Sequence, residues 1–289
     1  MDFLDSYTFA YFAMIALALL VSSLGFKKYV YFISLGYGFS IAALGAYMLF
    51  EFRGVTDLVT TLLCLLFIVY GCRLGGFLLY REMKSASYNR TMAKETKSDD
   101  QVSLGAKFAI WISVALLYTF QVSPVFFRLQ NREAMIVVKT LSQKGGTPLE
   151  SRSDLVCLIG LIIMACGILL EMSADLQKSH AKKKNPGRFV DTGLYRIVRC
   201  PNYLGEILNW TGVFVSGWTA LRGPWQWAAA IIGWAGIVYI MFGGARRLEL
   251  RQNRNYGEDP EYQAYVKKVP ILLPLAPLYS VAKYKWLVG

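Results

Sequence analysis

The chain has 289 residues, 55% of them hydrophobic and only 17% charged, with a mean hydropathy of +0.38 and a formal net charge of +12. A water-soluble domain of this length is rarely so apolar, so the composition excludes that class and predicts a polytopic membrane protein. The positive balance does not point to nucleic acid, because the basic residues fall in loops between apolar spans, where they set topology.

Asp2 and Asp5 precede the first apolar span and no basic residue does, so no cleaved secretory signal is expected. Seven segments are long enough to cross a hydrocarbon core of about 30 Å as helices. They lie at 8–26, 29–50, 55–80, 104–127, 154–174, 203–221 and 224–244. The polar 81–103 stretch reads as a flexible loop. Within 128–153 the apolar run Ala134 to Val138 is too short to span and reads as interfacial, followed by a turn at Gly145, Gly146 and Pro148. A basic loop over 175–202 leads to the sixth span. The tail after Gly244 is polar at first and then reads YVKKVPILLPLAPLY. Pro270, Pro274 and Pro277 rule out a regular helix there and predict an irregular flap packed on the bundle.

We expect a single all-α membrane domain in two parts, 1–103 with the first three helices and 104–289 with the rest. Twenty-two Lys and Arg residues fall on one side of the predicted bundle against 7 on the other. The positive-inside rule therefore puts the C-terminus in the cytoplasm and, with seven crossings, the N-terminus outside. The membrane is a bacterial inner membrane, or the endoplasmic reticulum if the source is eukaryotic.

Cys64, Cys72, Cys157 and Cys166 lie in apolar segments with no CxxC pair, so neither a disulfide nor a metal site is expected. His180, the only histidine, sits in the Lys-rich loop and reads as a solvated residue. No GxGxxG follows a strand pattern, which excludes a Rossmann cofactor domain.

Chemistry concentrates between Gly187 and Gly212, GRFVDTGLYRIVRCPNYLGEILNWTG. Arg188, Arg196 and Arg199 precede a helix that starts near Tyr203, and a helix N-terminus with Arg beside it favours phosphate. Lys182, Lys183 and Lys184 add charge, and Tyr195 and Tyr203 offer stacking faces. A lipid-headgroup patch fits the charge equally well. Asn202 and Glu206 favour a nucleotide, because an acid one turn inside the membrane is costly and headgroups do not need it.

The run Asp191, Gly193, Leu194, Tyr195, Arg196, Arg199, Pro201, Asn202, Tyr203, Gly205 and Glu206 resembles the signature of the membrane-embedded steroid 5-alpha-reductase superfamily, most closely its bacterial branch. Animal trans-2-enoyl-CoA reductases share Cys200-Pro201-Asn202-Tyr203. The resemblance is strongest over 155–274. It implies NADPH held by Asp175, Arg188, Tyr195, Arg199, Asn202, Tyr203 and Glu206. By likeness to membrane sterol reductases, Arg247 and Glu249 of the tail join them. It also implies a hydrophobic steroid or lipid enone that enters from the bilayer, and hydride transfer to its activated C=C. A Tyr or an acid beside the carbonyl oxygen lowers that barrier. Tyr70, followed by Arg73, matches the family's catalytic Tyr, and Glu51 its acid, although Phe50 replaces the Gln that precedes the acid in steroid enzymes. Gly71, Gly75 and Gly76 serve close helix packing or leave room for a flat ligand.

Two other readings stand beside this one. The run YGEDPEYQAYVKKVP suits an S-adenosyl-methionine-dependent methyltransferase of the isoprenylcysteine carboxyl type, whose signature usually lacks the acid at Glu206. A non-catalytic sterol-binding relative is the third.

Overall fold

The computed structural model describes residues 3–84, 101–142 and 148–288. Of the expected flexible loop over 81–103, residues 85–100 lie outside the described residues, as do the turn residues Gly145 and Gly146. Every regular element among the described residues is helical. Two compact units emerge, Met1–Leu158 with Val213–Gly233 and Ile159–Gly212 with Trp234–Gly289.

The helices are α1 (Phe3–Ser22), α2 (Leu35–Glu51), α3 (Leu58–Lys84), α4 (Leu104–Ser142), α5 (Pro148–Lys184), α6 (Pro201–Gly217), α7 (Gly223–Tyr256) and α8 (Pro260–Lys268). Short 3-10 turns cover Ser23–Phe26, Tyr29–Phe32 and Gly193–Arg196. Six described helices are long and apolar enough to cross a membrane, and the chain is an all-helical membrane protein. The segment expected as the sixth crossing, α6, is not among those six. It has 17 residues, about 25 Å at 1.5 Å per residue, against a hydrocarbon core of about 30 Å.

Four helices outrun their expected ends: α3 runs on to Lys84, into the stretch expected as loop, and three others follow. The interfacial run Ala134 to Val138 continues α4 without a break. The Lys-rich stretch with His180 is the last part of α5 rather than loop, since Ala, Lys and Gln favour helix until Pro186 and Gly187 stop it. The polar start of the tail likewise extends α7 to Tyr256. The Asp259 side chain then accepts from the backbone N–H groups of Glu261 and Tyr262 and caps α8. After Lys268 the chain is irregular, as its prolines require.

In the first unit α2 and α3 pack antiparallel through glycines. A Cβ on Gly71 would stand 2.3 Å from the Gly38 carbonyl oxygen, and one on Gly45 2.8 Å from that of Cys64. Backbone contact this close requires glycine. At the start of α3, buried Arg128 ties three helices together. It donates to Thr60 Oγ1 (3.2 Å), Ser153 Oγ (2.8 Å) and Asp154 (2.5 Å), and Arg132 pairs with Asp57 at 3.2 Å. Burial pushes the Asp57 carboxyl up. Hydrogen bonds from Thr60, with Arg128 and Arg132 beside it, outweigh that and hold it below its ordinary value.

In the second unit α5 and α6 meet along the glycines Gly160 and Gly167 on one side and Gly205 and Gly212 on the other. A Cβ on Gly167 would lie 2.3 Å from the Asn209 nitrogen, and one on Gly212 2.3 Å from that of Met164. The contact fixes which face of α6 turns toward α5, and Glu206 and Asn209 stand next to it.

Candidate functional site

The signature segment is built as a loop clamped at both ends. At its start Gly193 has φ +59 and a Cβ there would lie 2.3 Å from Gln177 Oε1, so only glycine fits. The Leu194 N–H donates to that same oxygen at 2.9 Å. Tyr195 is buried; its hydroxyl donates to the Ala174 carbonyl at 3.3 Å, and its own carbonyl accepts from the Tyr265 hydroxyl at 2.7 Å. Burial, with Asp175 next in effect, pushes the Tyr195 phenol up. At the other end the N–H groups of Arg199 and Cys200 donate to the carbonyls of Pro270 and Ile271 at 2.9 and 3.0 Å. The flap is therefore tied to the end of the loop by two backbone hydrogen bonds.

Arg199 and Glu249 are 2% and 3% exposed and pair with each other at 2.9 Å. Arg199 also donates to the Tyr279 carbonyl, and the second Glu249 oxygen accepts from the Val281 N–H at 2.9 Å. The pair thus joins the loop, α7 and the flap. Cys200 beside it is wholly enclosed, and burial pushes its thiol up to about 12, which keeps it neutral and unreactive.

Glu206 is buried one turn into α6 and accepts from Trp210 Nε1 at 3.0 Å. Asn209 is fully buried, and neither polar atom of its amide has a hydrogen-bond partner among the described residues; the same holds for Asn202 Oδ1. Tyr203 lies along Gly244 of α7, and Asp175, Arg247 and Arg251 all act electrostatically on its hydroxyl. Six expected cofactor residues, Asp175, Tyr195, Asn202, Tyr203, Glu206 and Arg247, thus collect in the second unit around the start of α6.

Arg188 is also in this unit but is exposed and bound to two acids, Asp191 at 2.9 Å and Glu261. Their hydrogen bonds, Glu261 first, raise its already high pKa. Lys182 donates to the carbonyls of Pro186 and Arg188. Both therefore hold the loop. The exposed cations around it are Lys183, Lys184, Arg196 and Arg247. A groove of about 780 Å³ runs between the end of α5 and the loop, lined by Gln177, His180, Lys184, Arg188, Asp191 and Gly193.

The catalytic pair expected in the first unit is not brought together. Tyr70 is completely buried, and its hydroxyl donates to that of Tyr37 at 3.2 Å; the Arg73 guanidinium stands 5.9 Å from its ring. Tyr37 in turn lies 5.1 Å from the Tyr118 ring. Ala42 faces Gly71, next to Tyr70, whereas Glu51 is exposed at the far end of α2. The nine helical steps from Ala42 to Glu51 amount to about 13 Å of helix. Glu51 acts instead on the Tyr47 hydroxyl. Gly71 and Gly75 serve packing, while Gly76 has nothing within 4 Å of a Cβ.

Two partners escaped sequence reasoning. Trp210 stands four residues after Glu206, a spacing that places both on one helix face. Tyr37 is 33 residues from Tyr70, with no local signal except the glycines that bring α2 against α3.

Parts of the chain are similar to known proteins. Steroid 5-alpha-reductase DET2 of Arabidopsis thaliana is 29% identical over 86 residues, 29% of this chain and 28% of the relative. The DET2 proteins of Gossypium hirsutum and Solanum lycopersicum are 38% and 33% identical over 64 and 85 residues. The matched segments span only about a quarter of the length of these relatives. No solved structure matches the chain. A family model described as a protein of unknown function, DUF1295, matches residues 19–269. The chain belongs to that family, which is steroid 5-alpha-reductase-like.

Proposed function

We propose that the protein is a membrane-embedded, NADPH-dependent reductase that saturates an activated C=C bond of a hydrophobic, steroid-like enone. The observation that carries this reading is the polar face of α6, where Glu206 and Asn209 stand buried and Asn202 half-buried with its Oδ1 enclosed, in an apolar helix. Buried amide atoms without a protein partner cost free energy, and a ligand with amide and hydroxyl groups offsets that. The DET2 relatives, steroid reductases by name, support the same reading.

The residues present suit NADPH. Arg247, Arg196, Lys183 and Lys184 supply positive charge for its phosphates, and Asp175, Asn202, Glu206 and Asn209 supply acceptors and donors for its amide and riboses. Tyr195 and Tyr203 offer aromatic faces. Arg188, Arg199 and Glu249 act by holding the loop and flap that carry these groups. When bound, the nucleotide supplies the hydride for the β carbon of the enone. The Tyr37–Tyr70 pair polarises the carbonyl: a phenol that accepts a hydrogen bond is a stronger donor through its own O–H, and it steadies the negative charge on the enolate oxygen. A proton from solvent then reaches the α carbon and completes the saturated ketone. Glu51, exposed and distant from Tyr70, has its place at the membrane surface. The flap hydrogen-bonds to the end of the basic signature loop, so the two share one side of the membrane; with basic loops facing the cytoplasm, the nucleotide enters from there.

The test is binding in detergent. Saturating NADPH should raise the melting temperature by mass action, NADH less because it lacks the 2′-phosphate, and S-adenosyl-methionine not at all. Glu206→Gln keeps an oxygen for Trp210 and should leave the melting temperature without ligand unchanged. Loss of a hydrogen bond to a charged group, about 1.5–3 kcal/mol, should weaken NADPH binding by about tenfold or more. An unchanged NADPH response in Glu206→Gln sinks the assignment of α6.

A further inference from the structure

A second groove, of about 400 Å³, opens between α7 and the flap, apart from the polar face of α6. Its volume falls in the range of roughly 300–1,000 Å³ typical of ligand sites. Trp234, Val238, Phe242, Leu278, Tyr284 and Trp286 wall it, and almost none of its lining is polar. The walls are fixed. The Tyr239 hydroxyl donates to the Trp286 carbonyl at 2.7 Å and accepts from the Val288 N–H at 3.2 Å, and the two rings stack at 6.2 Å. Arg246 Nε donates to the Ala282 carbonyl at 3.2 Å. Val281 and Leu287 are buried beneath, whereas Trp286 remains 65% exposed at the mouth.

Charge selects the occupant. Residues 262–289 hold four lysines and no Asp or Glu. Two of these, Lys283 and Lys285, flank Tyr284 on the groove and are exposed. Lys283 Nζ sits 5.1 Å from the Tyr284 ring centre, so its stem lies along the aromatic wall. An apolar slot with tryptophan at the mouth and two cations beside it matches a molecule with an apolar chain below a negative head. α7 is one of the six helices fit to cross a membrane, so bilayer lipid is the apolar phase in contact with it.

We propose that this groove binds one anionic glycerophospholipid, an acyl chain lying against Trp234, Phe242 and Tyr284 and the phosphate on Lys283 and Lys285. The lipid fastens the flap to α7. Since the flap carries Tyr279 and Val281, which hold Arg199 and Glu249, bilayer composition then governs the order of the signature loop.

The test places the full chain in phosphatidylcholine nanodiscs that contain increasing amounts of brominated phosphatidylglycerol, whose bromines quench nearby tryptophan. The wild type should show saturable quenching at a low phosphatidylglycerol fraction, and Trp234→Phe with Trp286→Phe should lose most of it. Lys283→Gln with Lys285→Gln should shift half-quenching about thirtyfold, the weight of two lysines near an anionic surface. Ala235→Trp fills the groove from an exposed wall position and should abolish the saturable component at an unchanged melting temperature. Inorganic phosphate should not compete. Equal quenching by brominated phosphatidylcholine, an unshifted lysine variant, saturation in Ala235→Trp or competition by phosphate each overturn the proposal. None of these readouts uses a nucleotide or an enone, so the result is independent of the proposed activity.

Discussion

Replacing Glu249 with Gln should free the flap from the signature loop. Both oxygens of Glu249 are in use, one on Arg199 at 2.9 Å and one on the Val281 N–H at 2.9 Å. Glutamine keeps a single acceptor, so its amide N–H groups must face either the guanidinium or the backbone N–H. Either arrangement leaves a buried donor unpaired and Arg199, 2% exposed, without its counter-charge. Breaking a buried pair from one side costs about 3–5 kcal/mol. The flap can undock before the helices melt, so the loss should appear first as local opening. Hydrogen exchange at the Arg199, Cys200 and Val281 amides, the first two bonded to Pro270 and Ile271, should speed up roughly a hundred- to a few-thousandfold. Arg199→Met with Glu249→Met removes both charges and should recover most of the protection. If Glu249→Gln exchanges like wild type, or the double variant is as labile as the single one, the clamp is not what holds the flap. If the double variant is stable but no longer binds NADPH, Arg199 touches the nucleotide directly.

Tyr70→Phe removes the hydrogen bond that polarises Tyr37, about 0.5–1.5 kcal/mol, and should lower the turnover of an enone roughly two- to tenfold, with the NADPH-induced melting shift unchanged. Gly167→Ala puts a methyl 2.3 Å from the Asn209 nitrogen and 2.6 Å from the Gly205 carbonyl oxygen. It should cost about 1–3 kcal/mol or more and lower the melting temperature, whereas Gly76→Ala, with nothing within 4 Å, should be neutral. Asp57 has a depressed carboxyl in the folded state, so its contribution is full above the unfolded value near 3.8 and disappears as pH falls through the folded one. Melting curves should steepen their decline below about pH 4, and Asp57→Asn should flatten that part of the profile.

Hydropathy made the fold legible because in lipid every backbone polar group must be satisfied within its own segment, which leaves helices as the simple solution. Helix ends were less visible. The Lys-rich end of α5 and the polar end of α7 have no apolar signal, and helix propensity carries them past the point where hydropathy stops. At α6 the helix end falls short of the apolar run instead. The apolar run continues to Leu221, but Gly217 ends the helix after 17 residues.

The site separates what motif spacing reports from what only packing decides. Glu206 and Trp210 are four apart, and Asn202 and Glu206 likewise, so a helical face alone brings them together. Arg199 meets Glu249 across 50 residues and Tyr279 across 80, and no pattern in the chain announces either contact. The same charged residues therefore read as ligand-binding in sequence and as a clamp in the structure. Both descriptions converge mechanically. A loop that presents Asn202 and Glu206 to a ligand must be rigid, and the 16-residue connection over 185–200 is held both by buried apolar side chains such as Phe189 and Val198 and by one buried ion pair that anchors its end to the flap.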